Sequence, residues 1–171
     1  MLSRGFTLIE LMITIAIVAI LLAVGVPSFA DFVANTRIAT DSSNLLADLA
    51  FARSESVKRG LPVTICKKTS GANTCGPGSW STGRLIFVDL ATAGTVGTLD
   101  GTDTLLRVRE DLATGNALAS SGFANAHYIQ YLSNASTDSA GSFQLTRSGF
   151  TGRNLCVNAA GRVRTQTTAC P

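Results

Sequence analysis

Between Phe6 and Val26 the chain holds 21 residues with a single charged side chain, Glu10. Wound as an α-helix, that run rises about 31 Å at ~1.5 Å per residue, which matches a hydrocarbon layer about 30 Å thick. Two ordinary readings account for it poorly. A secretory signal peptide has an apolar run of about 7–15 residues closed by a small-residue cleavage site, whereas this run is longer and no such site clearly ends it. A plain transmembrane anchor leaves Glu10 unexplained, because a lone carboxylate in lipid costs several kcal/mol or must take up a proton. An ionisable group at that depth needs a partner.

The 171 residues suit one domain beyond this anchor. Sixteen glycines and many Ser, Thr and Asn residues suggest a loop-rich, strand-rich body. A net charge of +3 says little about partners; its distribution says more.

Helical spacing continues past the apolar run. Phe29, Phe32 and Val33 form one apolar group, and Leu45, Leu46, Leu49, Ala52 and Val57 form another. Lys58 and Arg59 fall in the last turn, Gly60 suits the position after it, and Pro62 lies just beyond. The pattern predicts one long helix over about 6–59, bent near Pro27 and able to fray at Thr40–Ser43. After Gly60 the chain reads as β. Strands are predicted at Pro62–Lys67, Leu85–Leu90, Thr104–Glu110, His127–Leu132, Ser142–Thr146, Leu155–Asn158 and Arg162–Thr165. Residues 91–103 read as a long hairpin loop and 113–126 as loop. The fold class is α+β, a long N-terminal helix packed on antiparallel sheet.

Arg4-Gly5-Phe6-Thr7-Leu8-Ile9-Glu10 ahead of an apolar helix resembles the signal of type IV pilins and type II secretion pseudopilins. The resemblance implies cleavage by a prepilin peptidase after Gly5 and N-methylation of Phe6. It also gives Glu10 a partner, the terminal amine of a neighbouring subunit in a filament. The stretches Asn44–Glu55, Val57–Gly60 and Val63–Cys66, with Trp80–Asp89, resemble the GspH/FimT branch. On this basis residues 1–5 are a leader, 6–27 a transmembrane helix, 28–60 its amphipathic continuation, and 61–171 a periplasmic β-rich domain. The expected location is the bacterial inner membrane, then a pilus or pseudopilus.

Four cysteines, Cys66, Cys75, Cys156 and Cys170, read as disulfides in an exported protein. Of the possible connectivities, Cys66–Cys75 and Cys156–Cys170 are favoured because each closes a short loop. Zinc is disfavoured: there is no paired CxxC, and the single histidine, His127, is remote from the cysteines in sequence.

After Asp138 no acidic residue occurs, while Arg147, Arg153, Arg162 and Arg164 follow. In an extended strand Arg162 and Arg164 point to one side, Gly161 permits a turn before them, and two guanidinium forks suit phosphate oxygens. Thr165, Gln166, Thr167 and Thr168 could add hydrogen bonds. Arginines on a strand are more often a solvated face. However, the Gly161-Arg162-Val163-Arg164 motif in a disulfide-pinned tail resembles FimT-type minor pilins of naturally competent bacteria, which implies non-specific binding of double-stranded DNA. Arg147, Arg153, Lys67 and Lys68 are weaker electrostatic candidates. No clear aromatic platform for stacking bases is evident, so contacts would be to the backbone.

No GxSxG, HExxH or phosphate-cradling loop is present, so no catalytic residue and no cofactor is expected. Asp89, Asp100 and Asp103 fit no calcium-loop spacing. The function expected is therefore that of a DNA-binding minor pilin. The alternatives are a GspH-like pseudopilin of type II secretion and an assembly-priming minor pilin that does not bind DNA.

Overall fold

The computed structural model describes residues 6–90 and 94–171. The chain divides into two compact units, one ending at Thr36 and one running from Arg37 to Pro171. One helix, α1 (Leu8–Arg59), contributes to both. In the first unit Thr7 caps α1. Its Oγ1 accepts the Glu10 N–H at 3.3 Å, in the Thr-x-x-Glu arrangement that marks helix starts. The apolar side chains from Phe6 to Phe32 are exposed, and the Thr14 hydroxyl donates to the Leu11 carbonyl at 2.8 Å. A rod that is apolar all round apart from Glu10, and whose threonine hydroxyl is satisfied by its own backbone, is suited to lipid or to packing among similar rods. The helical backbone continues through Pro27.

The second unit is built on two four-stranded antiparallel sheets. The strands are β1 (Val63–Lys67), β2 (Arg84–Val88), β3 (Thr104–Arg109), β4 (Asn116–Ser121), β5 (Tyr128–Tyr131), β6 (Gly141–Arg147), β7 (Phe150–Val157) and β8 (Val163–Gln166). Their orders are β3-β2-β1-β5 and β4-β6-β7-β8. A single core joins Ile38, Leu45, Leu49 and Ala52 of α1 to Ile65, Ile86 and Ile129 of the first sheet and Phe143, Leu145 and Leu155 of the second. On the other face of the first sheet, Cys66, Leu85 and Phe87 pack against Leu99, Val108 and Tyr128.

Several expectations need correction. Thr40–Ser43 does not fray: Ser42 is buried, and the Asp41 carboxylate accepts the Asn116 side-chain amide at 2.6 Å, so tertiary contacts override weak propensity. Leu46 and Val57 face outward, leaving Leu45, Leu49 and Ala52 as the buried stripe. Residues 116–121, read as loop, form β4, whose Asn116 and Leu118 point inward while Ala117 and Ala119 point out. The free edge of β4 is covered by a short 3-10 turn, Trp80–Thr82. There the Trp80 indole donates to Ser120 Oγ at 2.8 Å and Ser81 Oγ accepts the Leu118 N–H at 2.9 Å. Strand β7 begins five residues earlier than expected, at Phe150. The β2–β3 connection is irregular over residues 94–103, as expected; residues 91–93 lie outside the described part.

Candidate nucleic-acid interface

The turn that launches β8 depends on a glycine. Gly161 has φ +72°, its N–H donates to the Asn158 carbonyl at 2.8 Å, and a Cβ there would overlap the carbonyl oxygen of Ala135. Arg53 of α1 fixes the same region, its guanidinium donating to the carbonyls of Ala135 at 3.2 Å and Ala160 at 3.3 Å. Beyond the turn, β8 pairs with β7 in the register Cys156↔Arg164 and Val157↔Val163. Alternation then turns Val163 toward the core, with Leu155 and Val157, and Arg164 to the outer face, with Cys156 and Ser142. Arg162 and Arg164 are both exposed, and both border a groove of about 580 Å³ on that face.

The groove is bounded by the tail. Cys156 and Cys170 form a disulfide, and Cys66 and Cys75 form the other, which are the two local pairings among the possible ones. The Asn154 side-chain amide donates to the Thr168 carbonyl at 2.8 Å, and that of Gln166 to the Ala169 carbonyl at 2.7 Å. Gln166 is therefore engaged in holding the tail, not available as an extra donor to a ligand. No aspartate or glutamate lines the groove.

The four weaker candidates do not join the two arginines. Arg153, opposite Leu145, has the core-facing parity of β7. Arg147 Nη1 donates to the Thr114 carbonyl at 2.7 Å and to Asn116 Oδ1 at 3.1 Å, which ties down the start of β4. Lys67 lies over the Trp80 ring at 5.8 Å, and Lys68 is buried with its ammonium paired to Glu110. Both lysines come at the far end of β1 from Val63, the residue opposite Tyr131 against which Gly161 packs. Sequence clustering of cations after Asp138 thus becomes spatial clustering for Arg162 and Arg164 alone.

The other candidates have structural surroundings. Phe6 and Glu10 are exposed at the start of α1, and Gly5 lies outside the described residues. His127 is exposed beside β5. Asp89 is buried and accepts from Thr64 Oγ1 at 2.7 Å, the Gly97 N–H at 2.8 Å and Gln130 Nε2 at 3.2 Å, while Asp103 accepts the N–H groups of Leu90 and Asp100. These carboxylates close the 94–103 loop.

Sequence reading missed a second arginine cluster. Asp48, fully buried on α1, lies within ion-pair distance of Arg84 at 2.8 Å, Arg109 at 2.9 Å and Arg107 at 3.1 Å. The signal was available, since Arg107 and Arg109 repeat the two-residue spacing of Arg162 and Arg164.

Residues 41–161 match the family described as type II transport protein GspH, and residues 1–26 match the prokaryotic N-terminal methylation motif. The type IV major fimbrial protein FimA of Dichelobacter nodosus is 36% identical over 84 residues, 49% of this chain and 44% of FimA. The type IV major pilin protein PilA of Myxococcus xanthus is 49% identical over 45 residues, 26% of this chain and 20% of PilA. The chain therefore spans less than half the length of these relatives. Among solved structures, the type IV minor pilin FimU of Pseudomonas aeruginosa superposes with TM-score 0.61 at 20% identity, covering 82% of this chain and 96% of FimU. The minor pseudopilin EpsH of the Vibrio cholerae type 2 secretion system gives TM-score 0.55 at 10% identity, covering 76% and 96%. At these identities the likeness is one of fold.

Proposed function

We propose that this chain, which belongs to the GspH family, is a minor subunit of a type IV pilus that binds DNA without sequence preference through Arg162 and Arg164. Its role is structural and binding, not catalytic. Residues 1–5 are removed as a leader by a prepilin peptidase, Phe6 becomes the methylated N-terminus, and the apolar start of α1 holds the subunit in the inner membrane with its body in the periplasm. In the filament Glu10 pairs with the terminal amine of a neighbouring subunit, which supplies the partner a carboxylate on an apolar rod requires. The observation that carries the DNA reading is the pair of exposed arginines at the start of β8, Arg162 just before the strand and Arg164 within it, both bordering a groove without acidic side chains. Such a pair suits phosphodiester oxygens, and avidity along a filament would strengthen weak single contacts. The test is retardation of duplex DNA. Arg162→Ala/Arg164→Ala is expected to abolish it, and undiminished retardation in that variant would refute the assignment.

A second reading is favoured by the GspH match and the EpsH likeness: a minor pseudopilin of a type II secretion system. A deletion strain separates the two, losing transformation in the first case and secretion in the second.

A further inference from the structure

The cluster around Asp48 holds more donors than its acceptor can use. Asp48 Oδ1 accepts from Arg107 Nη1 at 3.1 Å and Arg109 Nε at 2.9 Å, and Oδ2 accepts from Arg84 Nη2 at 2.8 Å and again from Arg109 Nε at 3.2 Å. A carboxylate has about four lone-pair sites, so Asp48 is saturated. Three guanidiniums carry about fifteen N–H donors between them, and Asp48 is their sole ion-pair partner among the described residues. Arg84 is 2% exposed, and its Nε and Nη1 have no hydrogen-bond partner. The nearest acid along the chain, Glu110, is taken by Lys68. The cluster therefore lacks anionic acceptors: the unpartnered buried donors belong to Arg84, while Arg107, 32% exposed, and Arg109, 35% exposed, have N–H groups that solvent, and hence a partner, can reach.

We propose that Arg107 and Arg109 form a docking site for a carboxylate-bearing segment of a neighbouring protein subunit. Three observations point there. Both residues stand on β3, an edge strand of its sheet, so a partner can approach from the side without displacing a strand. The guanidinium of Arg107 lies 3.9 Å over the Phe51 ring, which holds its plane fixed; a pre-placed fork loses little freedom on binding a carboxylate. An arginine stacked on an aromatic ring beside apolar surface, here half-buried Leu106, is the composition of a protein-interface anchor, whereas a nucleic-acid tract would spread cations along exposed polar surface. An incoming carboxylate takes the outward N–H groups of Arg107 and Arg109, and Asp48 is left chiefly to Arg84. That the partner is a filament neighbour rests on the filament reading above; the acidic chemistry does not.

The probe is an octaglutamate peptide, titrated by fluorescence anisotropy against the full-length chain in detergent at low salt, with octaglutamine as the uncharged control. The Arg107→Gln/Arg109→Gln variant keeps Arg84 on Asp48, and its melting curve reports folding. Octaglutamate is expected to bind at least about tenfold more weakly to that variant, about tenfold being the least that one charge-assisted contact contributes and two being removed, and to keep its affinity in Arg162→Ala/Arg164→Ala. Duplex DNA retardation is expected to show the opposite pattern, so failure of this site and failure of the β8 site are told apart. Equal octaglutamate binding by wild type and the Gln variant, or binding no tighter than octaglutamine, overturns the proposal. So does loss of DNA retardation in the Gln variant, which would make the cluster part of a nucleic-acid surface. Should the Gln variant not fold, Arg107→Lys/Arg109→Lys decides: it keeps both charges and loses the forks, so octaglutamate affinity falls if the proposal holds and is unchanged if it does not.

Discussion

Asp48 on α1 and Arg84 on β2 meet at 2.8 Å with side chains 0% and 2% exposed, so an ion pair inside the fold fastens the helix to the first sheet. Asp48→Asn leaves the size unchanged and strands a buried guanidinium. The expected loss is about 3–5 kcal/mol, the cost of removing one partner from a buried pair. Urea unfolding of the full chain in detergent measures it, and a loss below about 1 kcal/mol on that ~3–5 kcal/mol scale would mean that the Asp48–Arg84 pair does not fasten the helix to the sheet.

Gly161→Ala places a side chain at φ +72° and against the Ala135 carbonyl oxygen. A non-glycine residue held in that region costs about 1–3 kcal/mol before any clash is counted. Because the turn sets the start of β8, the variant is expected to melt lower and also to retard DNA less. A variant that melts lower with full DNA affinity would separate the turn from the arginines.

The Cys156–Cys170 bridge closes a loop with a sequence separation of 14. Cys170→Ser is expected to lower stability by about 3 kcal/mol in the chain-entropy account. The Asn154 and Gln166 amides still grip residues 168 and 169, so proteolysis should release only the last few residues. Limited digestion with mass spectrometry reads the cut.

Two side chains set opposite pH limits. The Arg59 hydrogen bond, assisted by the nearby charge of Lys58, holds the Glu55 carboxyl below its ordinary 4.5. Its stabilising contribution is present above that value and disappears as pH falls through the depressed one. Burial pushes the Tyr131 phenol upward from its ordinary 10.0. That contribution is present below 10.0 and is lost as pH rises beyond it. Melting curves across pH should show the acid limb flattened in Glu55→Gln and the alkaline limb flattened in Tyr131→Phe. The Tyr131 hydroxyl has no hydrogen-bond partner among the described residues, so Tyr131→Phe is also expected to match or exceed wild-type stability at neutral pH.

With Arg162 and Arg164 as the two phosphate contacts, log affinity for duplex DNA should fall with a slope of about −1.8 in log salt. That is about a twelvefold loss between 50 and 200 mM salt, from ~0.9 per contact. A slope near zero in retardation titrations would exclude phosphate contacts. A slope twice as steep, four contacts at ~0.9 each, would bring both Arg147 and Arg153 back into the site.

What the sequence disclosed follows from the size of each signal. The apolar rod, the last-turn cations with Gly60, and strands rich in Val, Ile and Phe were legible because each pattern has one physical solution. Strand β4 was not: Asn-Ala-Leu-Ala-Ser-Ser has no β-branched residue, and a single leucine supplies its inward face, so its pairing comes from β6 and the Trp80 turn, not from propensity. The first half of β7 was hidden by Gly152, Arg153 and Asn154. The two Arg-x-Arg pairs show the limit most clearly. Residues 107 and 109, like 162 and 164, share a side of their strand, but periodicity cannot say whether that side looks inward. Asp48, four positions before the buried Ala52 on α1, decided it for the first pair, and no local feature of the sequence announced that choice.

Trp80 is the single tryptophan of the chain. It is 2% exposed, meets Phe143 edge-on at 4.9 Å and bonds Ser120 of β4. Its indole thus stands where the β1–β2 connection of the first sheet grips the second. Ultraviolet emission from this one fluorophore, with no dye attached, reports the moment the two halves of the body lock together, separately from whatever happens to the apolar rod.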